Sequence, residues 1–232
     1  MVSEKEKLMS YKIVVMSCDN NQDLWLPFHH CMEKYWKDHP EIIYSTESAV
    51  NPYYKTITCN LPVSSWTKRV YETIKDLECR HILLLVDDIF LRDYVDSEKV
   101  KKVCDYIKDN VASFNFEPSF DKGDIPVSND VLIRNPFGKF KLSCMVQMWR
   151  KRYMLDLFNT HKNPWAFEKE NKAKHYVYLI SKNGDILNWG RKKDDWRFGV
   201  VKNKWAKECK EFFDKEGLEI DYSIRGFWGE EN

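Results

Sequence analysis

Residues His81–Phe90, HILLLVDDIF, constrain this chain more than any other stretch. Ile82 to Val86 are five consecutive apolar residues that run directly into Asp87 and Asp88. A short continuous apolar run of this kind reads as a strand buried on both faces. In open α/β sheets, ligands sit outside the carboxyl ends of such strands. Two carboxylates at that spot are hard oxygen ligands suited to Mg²⁺ or Mn²⁺. The plainer alternative is a strand followed by a solvated acidic turn, because Asp is a common turn residue.

The 232 residues, 43% hydrophobic and 31% charged, suffice for a well-buried core in one large domain. We expect residues 1–232 to form that single domain, with a ligand-binding half over about 11–110 and a second half over about 111–226. Lys+Arg 37 against Asp+Glu 36 leaves a net charge of +1. That balance argues against a general polyanion binder, so no nucleic-acid partner is expected, while a local basic patch stays open. Aromatic residues reach 15%, enough to suggest platforms for sugar rings or bases among a majority that serve the core. Seven cysteines, at 18, 31, 59, 79, 104, 144 and 209, form no CxxC pair and have mostly apolar neighbours. This usage fits reduced thiols packed as small hydrophobes. The opening MVSEKEKLMS has no signal-peptide character, and no apolar run approaches the roughly 18–20 residues of a membrane span. A cytoplasmic location is expected, with peripheral attachment at the inner membrane surface left open.

In chain order, Tyr11–Ser17 reads as a first core strand ending in the turn-prone Cys18-Asp19-Asn20-Asn21. An amphipathic helix follows from Asp23 to about Trp36, then a second strand at Glu41–Thr46. This β-α-β opening favours an α/β fold with a mostly parallel central sheet flanked by helices. Lys55–Leu61 is a further candidate strand, and a helix is expected from Thr67 to Leu77. After the central strand, Asp96-Ser97 caps a helix from Glu98 to about Asn110. Prolines and glycines punctuate residues 111–139, which read as an irregular segment with short strands at Phe114–Phe116 and Val131–Ile133. The spacing of Met145, Val146, Met148, Trp149, Arg152, Tyr153 and Leu157 predicts a helix over Ser143–Phe158. Asn163–Glu168 breaks it and starts the next short helix, and a strand at His175–Ile180, a hairpin turn at Asn183-Gly184 into Ile186–Trp189, and a charged loop at Arg191–Phe198 follow. Val200–Trp205 precedes a last helix with Gly217 as its C-cap.

Several motifs in this order, SCDNNQDLW, SSWTKRV, LLLVDDIFL, CMVQMWRKRYMLDLF, NPWAFE and a VVKNKW/RG pair, span about residues 11–226. Together they resemble a group of bacterial glycosyltransferases that build surface polysaccharides and lipopolysaccharides on a GT-A-type, Rossmann-like fold. Asn203 stands where that group usually has a glycine.

The resemblance implies transfer of a sugar from a nucleotide diphosphate sugar to a growing glycan or lipid-linked glycan, assisted by Mn²⁺ or Mg²⁺. It assigns the metal to Asp87 and Asp88. Of the pair, Asp88 is the expected ligand, while Asp87 binds metal, ribose or donor sugar. The loop after the first strand would hold the nucleoside, with Asp19 accepting from base or ribose, supported by Asp23 or Trp25; as a plain turn residue Asp19 would do neither. Trp66 and Arg69 open a helix facing the same cleft, where Arg69 is either a phosphate contact or a solvated charge. Lys202, Lys204 and Arg225 are cationic candidates for the diphosphate. Inverting enzymes need a carboxylate to take the proton of the attacking hydroxyl. Glu168 is the candidate, with Trp165 stacking on a sugar; the alternative is that Trp165 and Phe167 are core and Glu168 merely favours a helix N-terminus. Gln147, Trp149 and Arg150 are candidates for the acceptor side, with packing the competing role for Trp149. His29-His30 is no metal signal, because adjacent helical residues point apart.

Two rivals remain. A sugar nucleotidyltransferase would normally carry a Gly-rich loop after its first strand, where this chain has CDNNQDLW. A non-catalytic carbohydrate-binding protein would use the aromatics and leave the aspartates incidental.

Overall fold

The computed structural model describes residues 11–118, 121–135, 143–169, 177–183, 186–187 and 198–229. Gly184 of the hairpin turn expected at Asn183-Gly184, Asn188 and Trp189 of the strand after it, and Arg191–Arg197 of the charged loop lie outside the described residues, as do His175 and Tyr176 of the expected strand.

The central strand forms where the apolar run placed it, as β4 (His81–Val86). It pairs in parallel with β1 (Tyr11–Met16), which pairs in parallel with β2 (Ile42–Thr46), and β2 with β3 (Lys55–Thr58). On its other side β4 meets β8 (Gln147–Arg150), antiparallel to both β4 and β5 (Val111–Pro118). Beyond β5 lie β9 (Val177–Ser181), β7 (Val131–Ile133) and the edge strand β6 (Ile125–Pro126), giving one nine-stranded sheet of order β3-β2-β1-β4-β8-β5-β9-β7-β6. Only β8 and β7 run against the other strands. The chain is therefore α/β, with a mostly parallel central sheet flanked by helices.

Both faces of the sheet are covered, which explains why β4 is apolar without interruption. Successive side chains of a strand point to opposite faces. Ile13, Val15, Leu83 and Leu85 pack against Leu24, Phe28 and Met32 of α1 (Gln22–Tyr35) and Val100 and Val103 of α3 (Ser97–Tyr106). Val14, Met16, Ile82 and Leu84 pack against Trp66, Val70 and Ile74 of α2 (Trp66–Ile74) and Met154 and Phe158 of α4 (Lys151–Phe158). Leu84 is fully buried in this second layer. Leu84→Ala should therefore cost about 2–5 kcal/mol, the sum of lost transfer energy and an unfilled cavity. Denaturant unfolding would register this as a lower midpoint with an unchanged m-value; a loss below about 1 kcal/mol would contradict this packing.

Local signals account for two of the helix ends. Asp96 accepts from the amides of Glu98 at 3.0 Å and Lys99 at 3.1 Å and starts α3. Gly217, at φ +69°, ends α6 (Lys207–Glu216) in the left-handed conformation that glycine adopts without strain. α5 (Pro164–Lys169) is the short helix expected after Asn163.

Two expectations are corrected. The helix expected over Ser143–Phe158 is the strand β8 followed by α4. Residues Val146–Arg150 are all buried, and a fully buried strand gives the same apolar run as a buried helix, so periodicity does not separate them. The open slot between β4 and β5 decides it: Trp149 sits opposite Ile82 and Ser113. The second correction is β5, an eight-residue strand where short, broken strands were expected. Its Asn115 and Glu117 interrupt the apolar pattern yet are buried. β5 and β8 come from the later half of the chain, so the boundary near residue 111 falls inside one continuous sheet.

Val200–Val201 (β10) and Lys204–Trp205 (β11) form a hairpin whose central residues, Lys202 and Asn203, have φ +47° and +65°. Two positive φ values in a two-residue loop suit a strand-matched turn, and Asn tolerates that region better than most residues. Asn203 thus meets the conformational demand for which glycine is the usual solution.

Candidate active site

The carboxyl ends of β4 and β5 open into a cavity of about 980 Å³. That is at the upper end of the usual range for small-molecule sites. Asp88, Trp66, Trp165 and Glu168 line it, together with Asn115, Glu117, Asp121, Lys122 and Arg134.

Asp87 and Asp88, adjacent in sequence, do different things. Asp87 is 2% exposed and turns back toward β1. It accepts from the Ser17 hydroxyl and, at 3.0 Å, from Asn21 Nδ2. Ser17 Oγ in turn accepts from Trp25 Nε1 at 2.8 Å. Burial, helped by the Asp88 charge, pushes the Asp87 carboxyl up to about 7. Asp88 lines the cavity instead, and burial lifts it to about 6 against the opposing pull of Arg225. The backbone carbonyl of Asp88 accepts from Gly199 N at 2.6 Å, which anchors the C-terminal segment on the aspartate pair. A Cβ on Gly199 would lie 2.1 Å from the Phe90 ring, so the close approach requires glycine.

The loop after β1 is held by groups that sequence placed at the ligand. Asp19 accepts from the amides of Ser48 and Ala49, each at 3.0 Å, and from the Ser48 hydroxyl. Burial raises its pKa, but these hydrogen bonds outweigh that and hold the carboxyl at about 2. Arg69 is neither solvated nor facing the cavity. It is 2% exposed, paired with Glu47, and donates to the Ser17 carbonyl at 2.6 Å. Asp23 and Arg225 form a two-pronged ion pair, Nε–Oδ2 and Nη2–Oδ1 both at 2.7 Å. Arg225 also reaches Asn20 O at 2.8 Å and Asn21 Oδ1 at 3.0 Å. Asn21 therefore links the Asp23–Arg225 pair to Asp87. These four residues brace the site.

Because the folded pKa of Asp19 lies below its usual 3.8, the stability it contributes is fully present above that pH and is lost as pH falls through about 2. Asp19→Asn should flatten the acid limb of a stability-against-pH curve, and Asp19→Ala should cost about 1–2 kcal/mol at neutral pH. Chemical unfolding at several pH values checks both; an acid limb identical in wild type and Asp19→Asn would contradict this bracing role.

Glu168, also on the lining, stands near the C-terminal end of α5, and its Oε1 accepts from Cys144 N at 2.6 Å. Trp165, 66% exposed, forms part of the lip. Trp66 is 5% exposed, its ring 6.0 Å from that of Phe158. Gln147 lies within β8 opposite Leu84 and Asn115 and is buried. Trp149 is fully buried among Phe158 and Tyr178, away from the cavity lining. Lys202 stacks its ammonium 4.6 Å above the Trp228 ring. Neither Lys202 nor Lys204 lines the cavity; among the described residues its cations are Lys122 and Arg134. Burial pulls the Arg134 pKa down, opposed by Asp124, Asp121 and Glu168.

Sequence reading did not find Asn115, Glu117, Asp121, Lys122 or Arg134. A signal for two of them existed. In FNFEP, polar Asn115 and Glu117 recur with period two between phenylalanines, as residues on the ligand side of a buried strand do.

The donor set suits a divalent cation of the hard, oxygen-seeking kind only in partnership with a ligand. Among the described residues no group of three or more His, Cys, Asp or Glu side chains gathers. Mg²⁺ is commonly bound by one or two carboxylates plus substrate phosphates, and Asp88 is the carboxylate of the aspartate pair that faces the cavity.

No family model and no curated protein sequence matches the chain. Solved structures do match its fold. S. aureus TarS 1–349 in complex with UDP superposes with TM-score 0.52 at 13% identity, covering 76% of this chain and 58% of that one. A putative nucleotide-diphospho-sugar transferase from Desulfovibrio desulfuricans G20 gives 0.44 at 13% identity, covering 73% and 78%. A nucleotidyl transferase from Methanothermobacter thermautotroptrophicus gives 0.44 at 10%, covering 75% and 88%. The chain thus spans a little over half the length of TarS 1–349, and what it shares with that protein is the fold.

Proposed function

We propose that this chain is a glycosyltransferase that moves a sugar from a nucleotide diphosphate sugar to a hydroxyl of a glycan or lipid-linked glycan, with inversion at the anomeric carbon. The observation that carries this is the presence of both Asp88 and Glu168 on the lining of one large cavity at the carboxyl ends of β4 and β5. A metal-assisted inverting transfer uses one carboxylate to hold the metal and another to take the proton of the acceptor hydroxyl. The fold shared with a UDP-bound structure supports a nucleotide donor on the Asp88 side.

Asp88, together with the donor's own phosphate oxygens, would hold Mg²⁺ or Mn²⁺, whose charge stabilises the diphosphate as it leaves. Glu168 takes the proton of the acceptor hydroxyl as that oxygen bonds to the anomeric carbon. The bond from that carbon to the phosphate oxygen breaks, and its electron pair leaves with the nucleoside diphosphate. The amide of Cys144 fixes the Glu168 carboxylate in place. Trp165 offers an exposed indole face on which an acceptor sugar can stack. The braced loop of Asp19, Asp23 and Arg69 shapes the nucleoside end. No described helix is long and apolar enough to cross a membrane.

The test is product formation. Nucleotide sugars supplied with Mn²⁺ and oligosaccharide or lipid-linked acceptors should release nucleoside diphosphate only when a suitable acceptor is present. Release of pyrophosphate from a nucleoside triphosphate and a sugar 1-phosphate, with no transfer to any acceptor, would instead identify a nucleotidyltransferase.

A further inference from the structure

At the end of the sheet opposite the cavity, where β4 begins and β8 finishes, a second hollow of about 360 Å³ is lined by Cys79, Arg80, Arg150, Lys151, Arg152 and Leu155. The sequence RKR at 150–152 supplies three of its cations and Arg80 the fourth. Asp109 meets this group and pairs with both Arg150 and Arg152, which leaves the hollow with excess positive charge.

Arg150 is the informative residue. It is 6% exposed, its Nη2 donates to Asp109 Oδ1 at 2.9 Å, and its Nη1 is buried with no hydrogen-bond partner. Buried guanidinium donors are ordinarily satisfied, so an orphan in a cavity wall marks a place for an acceptor. The rest of the wall points to an anion. α4 begins here without a side-chain cap, its first amide donating to Arg80 O at 3.0 Å, so the positive end of the helix dipole faces the same place. Lys151 Nζ is tied to the carbonyls of Lys75 at 2.9 Å and Leu77 at 2.6 Å and holds its charge in position. The buried His81 beside them is held down at about 4, by burial first and then by Arg80 and Arg150.

We propose that this hollow binds a phosphoryl group, with Arg80 and Arg150 as its guanidinium contacts. A guanidinium fork matches phosphate oxygens in pairs, and a phosphate presents more acceptor oxygens to the four cations than a carboxylate does. The group comes either from a free phosphate compound or from an anionic lipid headgroup; the site lies outside the main cavity, so it can be filled while that cavity is occupied.

The experiment uses the full chain in metal-free buffer, where the carboxylates of the main cavity repel anions. Inorganic phosphate is titrated calorimetrically, and in parallel the protein is floated with phosphatidylcholine vesicles with and without phosphatidylglycerol. Wild type should bind phosphate, or float only with the phosphatidylglycerol vesicles, and the arm that responds identifies the source. Arg80→Gln should melt like wild type and lose at least tenfold in affinity. Arg150→Lys keeps the charge and removes the fork, and should lose a similar factor. Absence of binding in both arms, or binding unchanged in both variants, would overturn the site.

Discussion

Asp88→Asn lowers the rate of sugar transfer by on the order of a thousandfold and leaves the fold intact. The side chain keeps its size but loses the charge that faces the cavity. The charge is also the part of Asp88 that the fold resists, since burial lifts its pKa to about 6. Removing it should not lower the melting temperature. Asp87 makes the useful contrast. It accepts from Ser17 and Asn21 behind the cavity, so Asp87→Ala strips the buried Ser17 hydroxyl and the half-buried Asn21 amide of their acceptor and should destabilise the protein. Product assays with Mn²⁺ and thermal melts of both variants separate the two roles. A normally folded Asp88→Asn enzyme turning over at the wild-type rate would remove Asp88 from the chemistry.

Glu168→Gln should lower turnover by about 10²–10⁴, the usual worth of general-base assistance. The amide oxygen can still accept from Cys144 N, so the contact at 2.6 Å survives while the proton acceptor does not. Donor binding should therefore be unchanged and the melting temperature close to that of wild type. In the wild type, the rate should fall at acid pH as Glu168 protonates, and the variant should lose that limb and keep only the one set by Asp88, which burial lifts to about 6. NMR of the product should show inversion relative to the donor. Retention of configuration would exclude a base on that face, and a variant that merely melts earlier would make Glu168 a structural carboxylate.

What the sequence made legible follows from how strongly each stretch determines its own structure. The run Ile82–Val86 is too short for a helix that matters and too apolar for a surface, so β4 and the aspartates beyond it were readable. So were the caps at Asp96 and Gly217, because they act within a few residues. Ser143–Arg150 was not readable, because the strand β8 exists only by filling the slot between β4 and β5, a long-range fact. The candidate site shows the same division. Asp88, Glu168, Trp66 and Trp165 share one cavity. Asp19, Asp23, Arg69 and Arg225 were recognisable as charged residues near the right strand ends. Their partners, Ser48, Glu47 and each other, come from distant loops, and those partners turn them into braces. Asn115 and Glu117 were hidden inside a segment whose prolines and glycines obscured a full strand.

The most direct test of the cavity between Asp88 and Glu168 as a nucleotide-sugar site is a thermal-shift series over uridine and cytidine diphosphate sugars, with and without Mn²⁺, in wild type and Asp88→Asn. A ligand that binds only the folded protein raises its melting temperature by mass action. At least one donor should raise the wild-type value with Mn²⁺ present, and Asp88→Asn should lose most of that increase. No shift with any nucleotide sugar, or the same shift in Asp88→Asn without metal, would contradict the site as described.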